Sequence, residues 1–243
     1  MNQFAKLIRF NREDLRLCSI VLGVVFALTH IITALAVRLS GEGTSLLLSG
    51  ILLPVCGGIL MLILSIGHVN VTYTQSVRFG QTRKWSLLAT LGVILYESLF
   101  VFLFSLALTL VERLLAPRFW LLLSGREFIL GATGMEIIPG SMDYYRNGIA
   151  LLIEDFTLDW WMAAVIILGA AIVGFSCGAI IHRFGQKGGW VLWGCWMVFF
   201  LFFQNLPWKT HTVTDWLVPA LVITAAAAFL WSIRYLLRAS IRN

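Results

Sequence analysis

The chain has 243 residues, 59% of them hydrophobic and only 12% charged, with a formal net charge of +6. An ordinary soluble domain is roughly 45–50% apolar and about 25% charged, so too few charges remain here to cover a water-facing surface. These proportions exclude a soluble enzyme, a disordered protein and a disulfide scaffold, and they specify an all-α polytopic membrane protein.

The N-terminal stretch Met1–Arg16 reads as an interfacial helix. Phe4, Leu7 and Ile8 share one face at helical spacing, while Lys6, Arg9 and Glu13 share another. The first span follows near Leu17–Val37. Ala34-Leu35-Ala36 imitates a signal-peptidase site, but the apolar run before it exceeds the roughly 7–15 residues of a signal peptide, and Glu13 and Asp14 precede it. The segment is therefore expected to be retained. Further spans are predicted near Leu46–Ile66, Ser86–Val111, Trp160–Ile181, Trp190–Phe203 and Trp216–Leu236, the fifth being short. The whole chain, residues 1–243, is expected to be one transmembrane domain.

A seventh candidate, Phe119–Ile138, carries Arg126-Glu127 at its centre. Charge asymmetry decides against it. With six spans and both termini in the cytoplasm, the inside receives Lys6, Arg9, Arg12, Arg16, Arg78, Arg83, Lys84, Arg183, Lys187, Arg234, Arg238 and Arg242. The outside receives only Arg38, Arg113, Arg118, Arg126, Arg146 and Lys209. A seventh span would nearly equalise the two sides. Trp85, Trp160, Trp161, Trp190, Trp208 and Trp216 fall at predicted span ends, where an amphipathic ring prefers the headgroup layer. Residues 112–159 then form a long outside loop. Its apolar runs Phe119–Leu123 and Phe128–Leu130 predict a helix at or dipping into the outer leaflet, either capping an exit route or lying as a simple lid.

The loop Tyr73–Lys84 predicts a short helix through Arg78 and Phe79, stopped by Gly80, with Thr82 capping the third span. It leaves Val77 and Phe79 exposed beside Arg78, Arg83 and Lys84. The order Arg78, Gly80, Gln81, Thr82, Arg83, Lys84 between spans two and three resembles membrane subunits of bacterial ATP-binding-cassette exporters. It is similar in particular to the six-span type-2 permeases linked with drug, antibiotic or peptide export and immunity. The resemblance covers the chain as an architecture, and locally only Ser76–Lys84 and Arg183–Gly188. It implies that Val77, Arg78, Phe79, Gly80, Thr82, Arg83 and Lys84 form a coupling helix that docks on a separate ATPase subunit. It further implies a second permease chain, identical or related, and a bacterial cytoplasmic membrane. The chain contains no G-x-x-x-x-G-K-[ST] phosphate loop, so ATP and magnesium would belong to the partner and no cofactor to this chain.

Arg78-Phe79-Gly80-Gln81 recurs as Arg183-Phe184-Gly185-Gln186, which makes Arg183, Phe184, Gly185 and Lys187 a second candidate partner-contacting loop. Glu97 is the only acidic residue inside a predicted span. A carboxylate in hydrocarbon is costly, so it is a candidate for a translocation route; the alternative is a packing residue satisfied by Ser98 or His30. Gly174-Phe175-Ser176-Cys177-Gly178 matches the serine-hydrolase pattern, but that pattern has meaning only at a strand-to-helix elbow. Ala170, Gly174 and Gly178 more simply make a small-residue stripe for close helix packing. Cys18, Cys56, Cys177 and Cys195 lie in apolar runs without metal-ligand spacing, and no metal or nucleic acid is expected. The expected function is that of an exporter permease subunit, moving an amphipathic or hydrophobic cargo such as a peptide, drug or lipid. The alternatives are an intramembrane enzyme using Glu97 or Ser176, and a stand-alone carrier or immunity protein.

Overall fold

A computed structural model describes residues 12–40, 44–124, 127–133, 136–137, 150–155, 157–204 and 211–238. The helices are α1 (Arg12–Ser40), α2 (Ser49–Gly67), α3 (Thr74–Arg78), α4 (Arg83–Ser124), α5 (Trp160–Phe184), α6 (Gln186–Gln204) and α7 (His211–Arg238). A π-helical stretch, His68–Tyr73, joins α2 to α3. Among the described residues, four helical segments are long and apolar enough to cross a membrane: Arg12–Leu35, Ser49–Arg78, Arg83–Leu115 and Trp160–Phe184. They support a helical membrane protein. Of the proposed interfacial helix, Met1–Asn11 lies outside the described residues, and Arg12–Arg16 is the first turn and more of α1.

Two expectations are corrected. The helix that carries the third span does not stop at Val111, because α4 runs on to Ser124; at 1.5 Å per residue it is roughly 63 Å long, about twice the hydrocarbon thickness. The segment beyond it, assigned to a loop with a surface helix, instead contains strands. Strands β1 (Thr44–Leu47), β2 (Glu127–Thr133), β3 (Glu136–Ile137) and β4 (Ala150–Asp155) form one sheet in the order β1-β4-β2-β3. The sheet makes the chain predominantly rather than wholly helical. β4 runs parallel to both β1 and β2, pairing Leu152 with Thr44 and with Ile129, and β3 returns antiparallel to β2. The physical reason lies in the sequence itself: Glu127–Thr133 is short and apolar, and strand and helix readings of such a run cannot be separated by periodicity alone.

The contacts fall into two compact units. One takes in Met61–Tyr96 and Gly169–Asn243, the other Phe10–Leu60 and Glu97–Leu168. In the first unit α5 lies directly on the chain of α2: a Cβ at Gly174 would strike the Leu62 carbonyl oxygen, and one at Gly178 would sit 2.9 Å from Val69 and 3.2 Å from Ile66. Phe175 packs on Phe229 at a ring separation of 5.4 Å, which adds α7 to this core. The Tyr73 hydroxyl, in the π-helical stretch, donates to the Leu236 carbonyl at 2.6 Å.

In the second unit a Cβ at Gly57 would meet Val101 at 2.7 Å and Ile167 at 3.7 Å, so α2, α4 and α5 converge there. Gly50 rests on Thr157, whose hydroxyl accepts from Arg113 Nη2 at 2.6 Å, and Leu158 N–H reaches the Gly50 carbonyl at 3.4 Å.

Burial along α4 is inverted relative to a soluble helix. Ser86, Thr90, Glu97, Ser98, Ser105 and Glu112 are buried, whereas Leu88, Leu95, Leu99, Leu103, Leu110 and Leu114 are exposed. Both sets repeat at helical spacing, so the helix has an apolar outer face and a buried face where these polar groups sit among Leu87, Val93, Ile94 and Val101. That arrangement suits lipid as the solvent, because polar groups are then satisfied inside the protein.

Candidate functional site

The turn after α3 is a helix terminus built by its backbone. Gly80 has φ +84°, the left-handed conformation that glycine adopts without a Cβ penalty. Its N–H donates to the Val77 carbonyl at 3.1 Å, and the Gln81 N–H donates to Ser76 at 3.1 Å. These two bonds are the Schellman pattern, which satisfies carbonyls that the helix end would otherwise leave open. Thr82 then occupies the cap position of α4, its carbonyl accepting from Ser86 N–H at 2.9 Å. The turn presents Phe79 with 86% of its surface exposed. Arg78, Thr82 and Lys84 are exposed beside it, while Val77 and Arg83 are half-buried.

Gly80→Ala is expected to cost about 1 kcal/mol, since an L side chain resists this φ although no atom lies within 4 Å to block it. Thermal unfolding measures it, with Gly67→Ala, an open helical position, as the control that should lose nothing.

The second Arg-Phe-Gly-Gln sequence adopts a closely related end. Gly185 has φ +60°, and its N–H donates to Ile181 at 2.7 Å, a single-bond left-handed cap. Phe184 and Lys187 are exposed there too.

Glu97 lies on the buried face of α4 with none of its surface exposed, next to the equally buried Ser98. It is within electrostatic reach of the buried Cys18. His30, considered as its partner, instead faces a different carboxylate. His30 Nε2 lies 3.5 Å from Glu112 Oε1, and the Ser49 hydroxyl donates to the same oxygen at 2.9 Å. His30 Nδ1 meets the Phe26 carbonyl at 2.9 Å, and because a carbonyl only accepts, Nδ1 carries the proton. Three helices of the second unit, α1, α2 and α4, thus converge on one carboxyl group that is 2% exposed. Ser49 is the first residue of α2, so the carboxylate also sits where a helix N-terminus favours negative charge.

The sequence reading missed Glu112 and Ser49, because it placed Glu112 in a loop. The signal that finds Glu112 is the spacing of polar residues on α4, which continues past Val111 without a break, whereas Ser49 on α2 has no such signal. Ser176 spends its hydroxyl on its own helix, donating to Ile172 at 3.0 Å within continuous α5. No elbow presents it as a nucleophile.

Comparison with protein-family models, with curated proteins and with solved structures found no match to this chain.

Proposed function

We propose that this chain is the membrane-spanning subunit of an ATP-binding-cassette exporter, six spans with both termini in the cytoplasm, working as a pair of such chains. One observation carries the reading: the Schellman turn that holds Phe79 out of the protein, flanked by the exposed Arg78 and Lys84. An aromatic ring on a backbone-fixed turn with a basic rim is what a protein partner grips, since anchors of this kind carry most of an interface's energy. The partner would be the ATPase, which supplies ATP and magnesium because this chain lacks a phosphate loop. Closure of the ATPase would push on the turn and, through α4, shift the buried face that carries Glu97. The apolar character of the spans favours an amphipathic or hydrophobic cargo.

Phe79→Asp combined with Arg78→Glu is expected to lower recovery of a co-purifying ATPase at least tenfold while leaving thermal unfolding unchanged, because both side chains are exposed. Purification from the native host with mass spectrometry measures it. Undiminished recovery in the double variant would remove the turn as the docking point, and recovery of the wild-type chain alone in several mild detergents would remove the exporter reading.

A further inference from the structure

Arg183 stands in the same four-residue sequence as Arg78, but its surroundings differ. Its guanidinium carbon lies 4.9 Å from the centroid of Phe184, 5.3 Å from Trp231 and 5.4 Å from Tyr235. The two α7 rings stack on one another, 5.7 Å apart and 12° from parallel. His182 stands edge-on to Tyr235 at 6.2 Å and to Tyr73 at 6.0 Å, and the Tyr73 hydroxyl is bonded to Leu236. The end of α5, the π-helical stretch and α7 therefore meet in an aromatic joint of the first unit, and that joint holds the guanidinium in place.

Rings attract the cation through their faces, whereas the five N–H donors lie in its plane and need oxygen acceptors. Among the described residues, Arg183 has ring contacts and neither a hydrogen bond nor a carboxylate partner. The unit has little to offer: Asp215 is the only Asp or Glu in Met61–Tyr96 and Gly169–Asn243. It precedes Tyr235 by roughly 30 Å of helical rise along α7. Other positive charges gather instead. Arg83 comes within electrostatic reach of Tyr73, and Arg234 adjoins Tyr235 on α7. Arg183 is exposed, so its in-plane donors are open to an anion from outside the unit.

The position says which anion. Arg183 closes an apolar helix of membrane-crossing length, Trp160–Phe184, among tryptophan and tyrosine rings of the kind that mark the headgroup layer. Phosphate is the anion of that layer, and a planar guanidinium grips its oxygens with two parallel bonds. We propose that Arg183, steadied by Phe184, Trp231 and Tyr235, binds the phosphate of an anionic phospholipid. The site is independent of the exporter reading and remains if that reading fails.

The test is a titration of the full detergent-solubilised chain with phosphatidylglycerol and, separately, phosphatidylcholine, with bound lipid counted by native mass spectrometry. The wild type is expected to retain phosphatidylglycerol preferentially. Arg183→Ala should weaken that binding about tenfold or more, the scale of a lost charge-assisted pair. Arg16→Ala removes an equal exposed charge that no ring cradles among the described residues, and should change binding less than about twofold. Arg183→Lys keeps charge and fold and loses the planar fork, so unchanged selectivity in that variant overturns the proposal. Equal losses in Arg183→Ala and Arg16→Ala overturn it as well, leaving only diffuse charge. Displacement of the lipid by inorganic phosphate at about millimolar concentration, the strength of ordinary free-anion sites, would assign the site to a free anion and overturn the lipid assignment.

Discussion

Gly174→Ala is expected to destabilise the chain by about 3 kcal/mol, at the upper end of what overpacking costs. A single methyl at this position would meet the carbonyl oxygen, Cα and carbonyl carbon of Leu62, all backbone atoms of a neighbouring helix. A side-chain obstacle can rotate away, but a helix backbone moves only as a whole. Gly178→Ala should cost less, because its nearest obstacle is the Val69 side chain at 2.9 Å. Gly169→Ala, on the same helix with nothing within 4 Å, should be neutral or slightly stabilising through helix propensity. Tryptophan-fluorescence unfolding of the solubilised chain orders the three. If Gly174→Ala melted with Gly169→Ala, the close approach of α5 to Leu62 would be wrong.

Glu112→Ala is expected to cost about 3 kcal/mol as well, for an electrostatic rather than a steric reason. It removes the oxygen on which the Ser49 hydroxyl and the His30 ring converge, and it does so at a site from which water is excluded. Glu112→Gln keeps the volume and an acceptor oxygen for Ser49, so its cost should be nearer 1 kcal/mol. The comparison of the two variants by thermal unfolding separates the loss of charge from the loss of acceptor and volume together. Equal losses would mean that the pairing contributes nothing beyond the carboxylate charge.

These two sites differ in how far the sequence exposes them. The small-residue spacing of Gly174 and Gly178 is visible because close helix approach demands small residues four apart, whatever the partner. The end of α3 is equally visible: Gly80 and Thr82 are residue types selected by backbone conformation itself, so local chemistry is enough to place them. Glu112 was hidden because span prediction stops where hydropathy falls, and a helix that runs past its apolar stretch gives no warning at Val111. Its pairing with His30 joins residues far apart in sequence, and no local pattern specifies which carboxylate a lone histidine will meet. The sheet was hidden for a related reason. Thr44–Leu47 pairs with Ala150–Asp155, and the apolar runs that form it carry no alternation to separate strand from helix.

The π-helical stretch His68–Tyr73 has a bearing on the azimuth of everything that follows it. Each of its turns holds more residues than an α-turn, so it offsets the rotational phase of α3 relative to α2. An α-helical residue turns the chain by about 100°, so a residue gained or lost without a compensating change in the wide turns would swing Phe79 by that much around the helix axis. The bearing of the protruding ring is therefore a property of chain length and not of any side chain. Point substitutions can change how firmly the ring is gripped, whereas only an insertion or deletion in this stretch can re-aim it.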